Sequence, residues 1–414
     1  MKKKFFVWVS LILSVIFITS CSKKWNNKKD ILEGNLNLLA HDVDYKYLSV
    51  MAEKFRELHP KVNINIQEIE KNYFKKDFED FLKNPDSSTD MVVMPSEYVT
   101  YFGSKYPLSF SEVNEFISSY KDLMSKGRVE DITLGDKIMA FPFDNEAVII
   151  YYNKSLLDAA GINIEDIRTW DNIITLDEKI NKSTNNKLIA YTGRDYFDFY
   201  NMMLKQLKVD LDKLPDKNAT KAMALLKHLF SQNIVDIIEE EKATELLIKG
   251  DIPFLIGSNK TLNNIYKKMP STEKINLGIS KIPSFEPGGN RDIIGSGDNF
   301  VILEQSKNKS LAKEFIQFAV IEKNNVFQGL NEYYILPSYN KYVDDVAYNT
   351  NYSFIYEEKP LRILDYTQRN GTYFKVKPNY LELREEINEE ISKIIYSEGN
   401  LEKEMENFIN KLPK

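Results

Sequence analysis

The chain has 414 residues, 43% hydrophobic and 28% charged, with 61 acidic side chains against 55 basic ones. That length and balance fit a globular protein of about two domains, and a formal charge of −6 argues against a surface that holds nucleic acid or an anionic membrane by charge. The single cysteine, Cys21, excludes an intramolecular disulfide.

Lys2, Lys3 and Lys4 open the chain as a basic stretch, and Phe5 to Ile18 follow as an apolar run too short for a well-anchored bilayer span. Ile18-Thr19-Ser20-Cys21 closes it. The order reads as a secretory signal over residues 1–20. The tetrapeptide resembles a bacterial lipobox, which implies that Cys21 carries a diacylglyceryl group as the mature N-terminus. Loss of residues 1–20 removes three lysines and no acid, taking the formal charge to −9. The membrane tether is then the lipid, with the body on the extracytoplasmic face of the cell membrane. Abundant Asn, Lys and Ile point to an AT-rich, Gram-positive host. Residues 21–34 are polar and without period, a flexible spacer.

Leu36 to Leu39 reads as a strand, Tyr45 to His59 as an amphipathic helix, Val62 to Ile69 as a strand and Asn72 to Leu82 as a helix. Met91-Val92-Val93-Met94 follows as a fully apolar strand ending at Pro95. This rhythm predicts an α/β layer with a largely parallel sheet, and its ligand loops would be His41 to Tyr45 and Pro95 to Tyr98. Pro142 fixes its own φ and biases Phe141 toward an extended conformation, so residues 141–146 read as a stiff crossover. A second α/β unit starts near residue 146, with strands at Ala147 to Tyr152, Leu188 to Tyr191 and Phe254 to Ile256. Its helices fall at Trp170 to Ile180, Asp198 to Leu207 and Ala219 to Phe230. Leu277 to Ile282 is strand-like and residues 283–290 are a turn-rich break. Phe300 to Leu303 reads as a strand, Lys309 to Ile321 as a helix, and Tyr380 to Lys411 as helical with one charged face.

Lys137 to Glu146, KIMAFPFDNE, then AVIIYYNKSLLDAAGI, then Thr169-Trp170-Asp171 resembles the midsection of family 1 extracellular solute-binding proteins, the ligand-capturing subunits of ATP-binding-cassette importers. Phe300 to Phe318, Tyr334-Ile335-Leu336-Pro337-Ser338 and the last helices agree with that family in order and spacing, so the resemblance runs from about residue 36 to the end. It implies an α/β, two-lobed periplasmic-binding-protein-like fold of type II, each lobe a central sheet flanked by helices, with the ligand cleft between lobes. Residues 35–143 plus about 294–328 would form one lobe and 146–290 plus about 330–414 the other, hinged near 141–146, 290–295 and 325–335. The implied function is capture of an extracellular solute, a sugar or small oligosaccharide, by lobe closure. Delivery would be to permease subunits served by a separate ATPase subunit. Such a protein is a monomer, is not an enzyme and needs no cofactor.

Neutral carbohydrates are held by flat aromatic faces and by carboxylates or amides that accept hydroxyl hydrogen bonds. Asp42, Tyr45, Ser96, Glu97 and Tyr98 offer such groups at strand-end loops. The resemblance adds Glu146, where sugar binders of the family place a ligand carboxylate just after the hinge proline. Asp144 and Asn145 lie beside it, and hinge capping is the plainer role for all three. It also adds Arg194, Asp195 and Tyr196 in the segment 191–197, where Asp195 equally reads as a helix cap. Ser258 stands where relatives often carry a stacking tryptophan, and Asp298 where they often have an aromatic. Both departures argue for a smaller or more polar solute than a long oligosaccharide.

The alternatives are a lipid-anchored enzyme acting on cell-wall carbohydrate and a solute sensor without transport. No recognisable acid/base carboxylate pair, Gly-x-Ser-x-Gly or Gly-x-x-x-x-Gly-Lys-Ser/Thr occurs. His41, His59 and His228 are far apart in sequence, and His41 with Asp42 and Asp44 is the nearest approach to a metal-ligand grouping. No metal is expected.

Overall fold

The computed structural model describes residues 32–412 apart from 71–73, 84–87, 181–186, 270–275, 296, 358 and 374–376. The signal, Cys21 and most of the spacer lie outside the described residues. The body opens with β1 (Gly34–Ala40), α1 (Asp42–Leu58), β2 (Val62–Glu68), α2 (Phe74–Lys83), β3 (Met91–Pro95) and α3 (Ser96–Lys105). After two-residue strands β4 (Phe141–Pro142) and β5 (Asp144–Asn145) come β6 (Ala147–Asn153), α4 (Trp170–Ile180), β7 (Ile189–Tyr191), α5 (Tyr196–Gln206) and α6 (Lys217–Ser231). Next are β8 (Val235–Ile237), α7 (Glu240–Lys249), β9 (Phe254–Ser258), α8 (Thr261–Lys268), β10 (Leu277–Lys281), β11 (Ile293–Ile294) and β12 (Asp298–Ile302). The chain ends through α9 (Lys309–Val320), α10 (Lys323–Tyr333), β13 (Leu336–Pro337), α11 (Pro360–Asn370), α12 (Tyr380–Tyr396) and α13 (Leu401–Lys411).

Two large sheets result, each the centre of a lobe. The first has the order β2-β1-β3-β12-β4 and the second β8-β7-β9-β6-β10, with β11 also on β6. Both are mixed, but in each a single strand runs against all the others, so the expectation of a largely parallel sheet holds apart from that one strand. β1, β2 and β3 are parallel, but β12 runs against β3 and β4, and β6 runs against β9, β10 and β11. The antiparallel strands are those that enter one sheet directly from the other, with no helical crossover to impose a parallel direction.

Strands covered on both faces need apolar residues at every position, which is why Met91 to Met94 shows no alternation. Met91 and Val93 share a core with Leu36, Phe55, Phe300 and Phe315, while Val92 and Met94 share the opposite one with Phe78, Phe102 and Val301. The second sheet repeats the plan. Ile150 and Tyr152 pack with Trp170, Phe199 and Leu226, and Ile149 and Tyr151 with Leu247, Leu262 and Leu361. Each such buried side chain stabilises the fold by roughly 1.5–3 kcal/mol. Trp170 avoids an unpaired polar atom by donating its indole N–H to Gln206 Oε1 at 3.0 Å.

β4 lies in the first sheet and β6 in the second, so the chain crosses within residues 142–147; it crosses back between β11 and β12, and β13 pairs with β5 beside these crossings. The fully buried Arg128 pins the two crossings together. Its guanidinium donates to the carbonyls of Asp144 at 3.1 Å and Asp298 at 2.8 Å, to Asn299 Oδ1 at 2.9 Å, and to Ser96 Oγ. Gly297 has φ +67°, and a Cβ there would sit 2.7 Å from the Asp144 carbonyl oxygen. Only glycine suits both demands.

Several boundaries differ from the sequence reading where they matter for the site. α1 starts at Asp42 and α3 at Ser96, so both stretches read as ligand loops are first helical turns. Acidic Asp42, Asp44 and Glu97 sit there because carboxylates are favourable at helix N-termini. β9 runs on to Ser258 and β12 begins already at Asp298. The C-terminal helical stretch is two helices, broken after Tyr396 and restarted by Asn400, whose side chain accepts from the Lys403 N–H.

Candidate functional site

A cavity of about 380 Å³ opens where strand ends of the two sheets meet. Glu97 and Tyr98 on α3 and Asp298 on β12 line it from the first lobe, Glu146 from the crossover, and Tyr191, Arg194 and Ser258 from the second lobe. α5 contributes Asp198, Asn201, Met202 and Lys205, spaced i, i+3, i+4 and i+7 and therefore on one helix face. Arg384 of α12 completes the wall.

Half of the residues singled out from sequence thus meet at the cavity: Glu97, Tyr98, Glu146, Arg194, Ser258 and Asp298. The others are placed elsewhere. Asp42 is exposed on the first turn of α1, 3.7 Å from His41 Nδ1, and Tyr45 packs against the first lobe's core. Ser96 is buried, its Oγ accepting from Arg128 and from Asn299 Nδ2 at 3.1 Å. Asp144 is buried too, accepting the Asp298 N–H at 2.6 Å. Asp195 caps α5 by accepting the Asp198 N–H at 2.9 Å and binds Arg384 through both oxygens at 2.8 and 3.0 Å. Tyr196 turns away onto Phe230, its hydroxyl 3.1 Å from that of Tyr396. Packing takes Tyr45 and Tyr196, and hydrogen bonds or ion pairs within the protein take Ser96, Asp144 and Asp195.

The walls are tied by charge. Arg194 lies 2.5 Å from Glu97 and 3.4 Å from Asp198, and Arg384 lies 2.5 Å from Asp198 and 3.7 Å from Glu97. Burial alone would raise the Glu97 carboxyl, but Arg194 and then Arg384 outweigh it and hold it below the ordinary glutamate value. The same guanidinium groups overcome burial at Asp198 and hold it well below the usual carboxylate range. Lys205 donates to the Ile294 carbonyl at 2.8 Å, and burial pulls its ammonium below the ordinary lysine value against the attraction of Asp131, Asp198, Glu146 and Glu97. The Glu146 backbone accepts the Gly295 N–H at 2.6 Å, and its side chain lies over Gly295, where a Cβ would come within 2.7 Å of Oε2.

His41, Asp44 and Asp298 converge with candidate ligand atoms within 4.8 Å of one another. The cationic place among them is taken by Lys260, whose Nζ lies 3.0 Å from Asp44 Oδ1 and 2.7 Å from Asp298 Oδ2. Burial lowers the His41 imidazole, but Asp298 overrides it and raises it to about 9. Sequence reasoning missed Lys205, Asp198, Arg384 and Lys260. The periodic face of α5 was a signal that could have found the first two.

Two α/β lobes joined by paired crossings, with a polar cavity between them, define a solute-binding architecture. A family model described as bacterial extracellular solute-binding protein matches residues 40–325, and the chain belongs to that family. It is similar to the arabinooligosaccharide-binding protein of Bacillus subtilis, 23% identical over 227 residues that cover 52% of each chain. The chain thus spans about half the length of the curated relatives it matches. Its fold matches that of the GacH receptor of Streptomyces glaucescens, solved unliganded and with acarbose, with a TM-score of 0.76 at 15% identity over 92% of this chain and 97% of that one. Maltose-bound MalE3 of T. maritima gives 0.74 at 16% identity over 91% and 98%.

Proposed function

We propose that the protein is the solute-capturing subunit of an ATP-binding-cassette importer, held by lipid on Cys21 at the outer face of the cell membrane, and that its solute is a neutral saccharide. The observation that carries this reading is a cavity between the lobes with a carboxylate, Glu146, and an ammonium, Lys205, on its wall near aromatic Tyr98 and Tyr191. A carboxylate accepts and an ammonium donates, so together they read the hydroxyl groups of a sugar, while tyrosine faces suit its C–H face. Carboxylates outnumber cations on the wall, and Arg194 and Arg384 are engaged by Glu97, Asp195 and Asp198. A sugar phosphate or uronate would meet net repulsion. The arabinooligosaccharide-binding relative and the acarbose and maltose complexes of similar folds support the saccharide class. Lobe closure on the solute would present the closed form to permease subunits, which draw on a separate ATPase.

A thermal-shift screen against maltose, arabino-oligosaccharides and glycerol phosphate tests the reading. A neutral saccharide at a hundredfold excess over its Kd stabilises the fold by about 2.7 kcal/mol, and glycerol phosphate does not. Calorimetry then shows Glu146→Gln and Lys205→Met each weakening that saccharide by roughly 1–3 kcal/mol. Unchanged affinity in both variants would remove them from the site, and turnover of a labelled glycan would replace the receptor with an enzyme.

A further inference from the structure

Lys260 follows β9 and precedes α8, in the second lobe. Its neighbour Asn259 is fixed there, accepting the Ala147 N–H at 2.9 Å and donating to the Tyr334 carbonyl at 2.7 Å. From that base the ammonium reaches Asp44 on α1 at 3.0 Å, Asp144 in β5 at 2.8 Å and Asp298 on β12 at 2.7 Å. The other Asp298 oxygen lies 3.3 Å from His41 Nε2. The side chains of Asp44 and Asp144 are 1% and 0% exposed. Within the first lobe nothing among the described residues donates a hydrogen bond to the Asp44 carboxylate; its donor is Lys260. Burial raises the Asp44 carboxyl well above its ordinary value against the pull of Lys260, so an acid buried in one lobe leans on a cation supplied by the other.

We propose that Lys260 licenses lobe closure: closing without its ammonium would bury Asp44, Asp144 and Asp298 against one another without the one cation that contacts all three carboxylates. Removing one member of a buried ion cluster is strongly unfavourable, because the remaining charges stay desolvated and unpaired, whereas in an open molecule water would solvate them. The cluster accepts one geometry, so it also sets the register in which the lobes meet. Lys260 is a positioning residue, set behind Asp298 and not on the cavity wall. Its role rests on the reading of the molecule as a closing receptor but not on which solute it takes.

Hydrogen exchange on the full chain without any solute tests this. Lys260→Met speeds exchange by about tenfold or more in the facing segments 95–99 and 192–198, while β1 and β7 within the sheets keep their protection. Because Lys260→Met alone can disturb the first lobe, a second variant adds Asp44→Asn, which removes part of the orphaned charge and returns the facing segments toward wild-type protection. Unchanged exchange in those segments overturns the proposal. So does faster exchange through the sheets themselves that Asp44→Asn does not reverse, since that marks a role in the fold of one lobe. Failure of every saccharide in the thermal screen would leave these outcomes readable.

Discussion

Glu97 is a buried carboxylate of the first lobe whose nearest guanidinium, Arg194, belongs to the second. A carboxyl held below its ordinary value stabilises the state that holds it. That contribution is fully present above the unfolded value near 4.3 and is lost as pH falls through the lower folded value. Thermal unfolding followed from pH 7 to pH 3 is therefore expected to show a loss below about pH 4 that is smaller in Glu97→Gln. At pH 7 the same variant is expected to be less stable by roughly 1–3 kcal/mol. An unchanged acid limb would mean that the pair does not hold the lobes. At this scale the sequence was partly legible. Glu146 was marked through the family resemblance, which places a ligand carboxylate just after the hinge proline, Pro142 here. Lys260 carried no mark, since among 55 basic side chains a lysine that ends up buried looks like every solvated one, and for Lys205 only the periodic face of α5 offered one.

At the scale of elements, apolar period identified strands and helices but not where the helices begin. The first turns of α1 and α3 carry one core residue each, Val43 and Tyr98, among Asp42, Asp44, Ser96 and Glu97, so the turn resembles a loop. That is why Asp42 and Ser96 were misplaced. β8 has three residues, too short to show a period. α5 is the element on which the cavity leans most, and Asp195 holds its start. Asp195→Ala removes the cap and one of the carboxylates that hold Arg384, and is expected to cost about 1–2 kcal/mol from the cap alone, read as a lower urea midpoint. Asp195→Asn keeps the cap geometry and loses the charge pairing, so it should fall between. Equal stability of Asp195→Ala and the parent chain would deny α5 this anchor.

Across the whole molecule, the chain passes between the lobes at the two crossings gripped by Arg128 and again between α9 and β13. Arg128→Met leaves the Asp144 and Asp298 carbonyls and the Asn299 and Ser96 side chains short of a buried donor, a loss of about 3–5 kcal/mol by analogy with breaking buried ion pairs. Calorimetry is expected to show one unfolding transition in the parent chain split into two in this variant, as each sheet melts on its own. A single transition at a lower temperature would show that the lobes are coupled by other means. The strand order holds one more consequence. β12 lies between β3 and β4, yet the entire second sheet up to β11 precedes it in the chain. While the ribosome is still making residues 147–297, the first half has a gap at its centre and Met91–Pro95 shows a bare apolar edge. For a chain exported as proposed above, that late arrival would leave the first sheet without β12 until residues 298–302 follow.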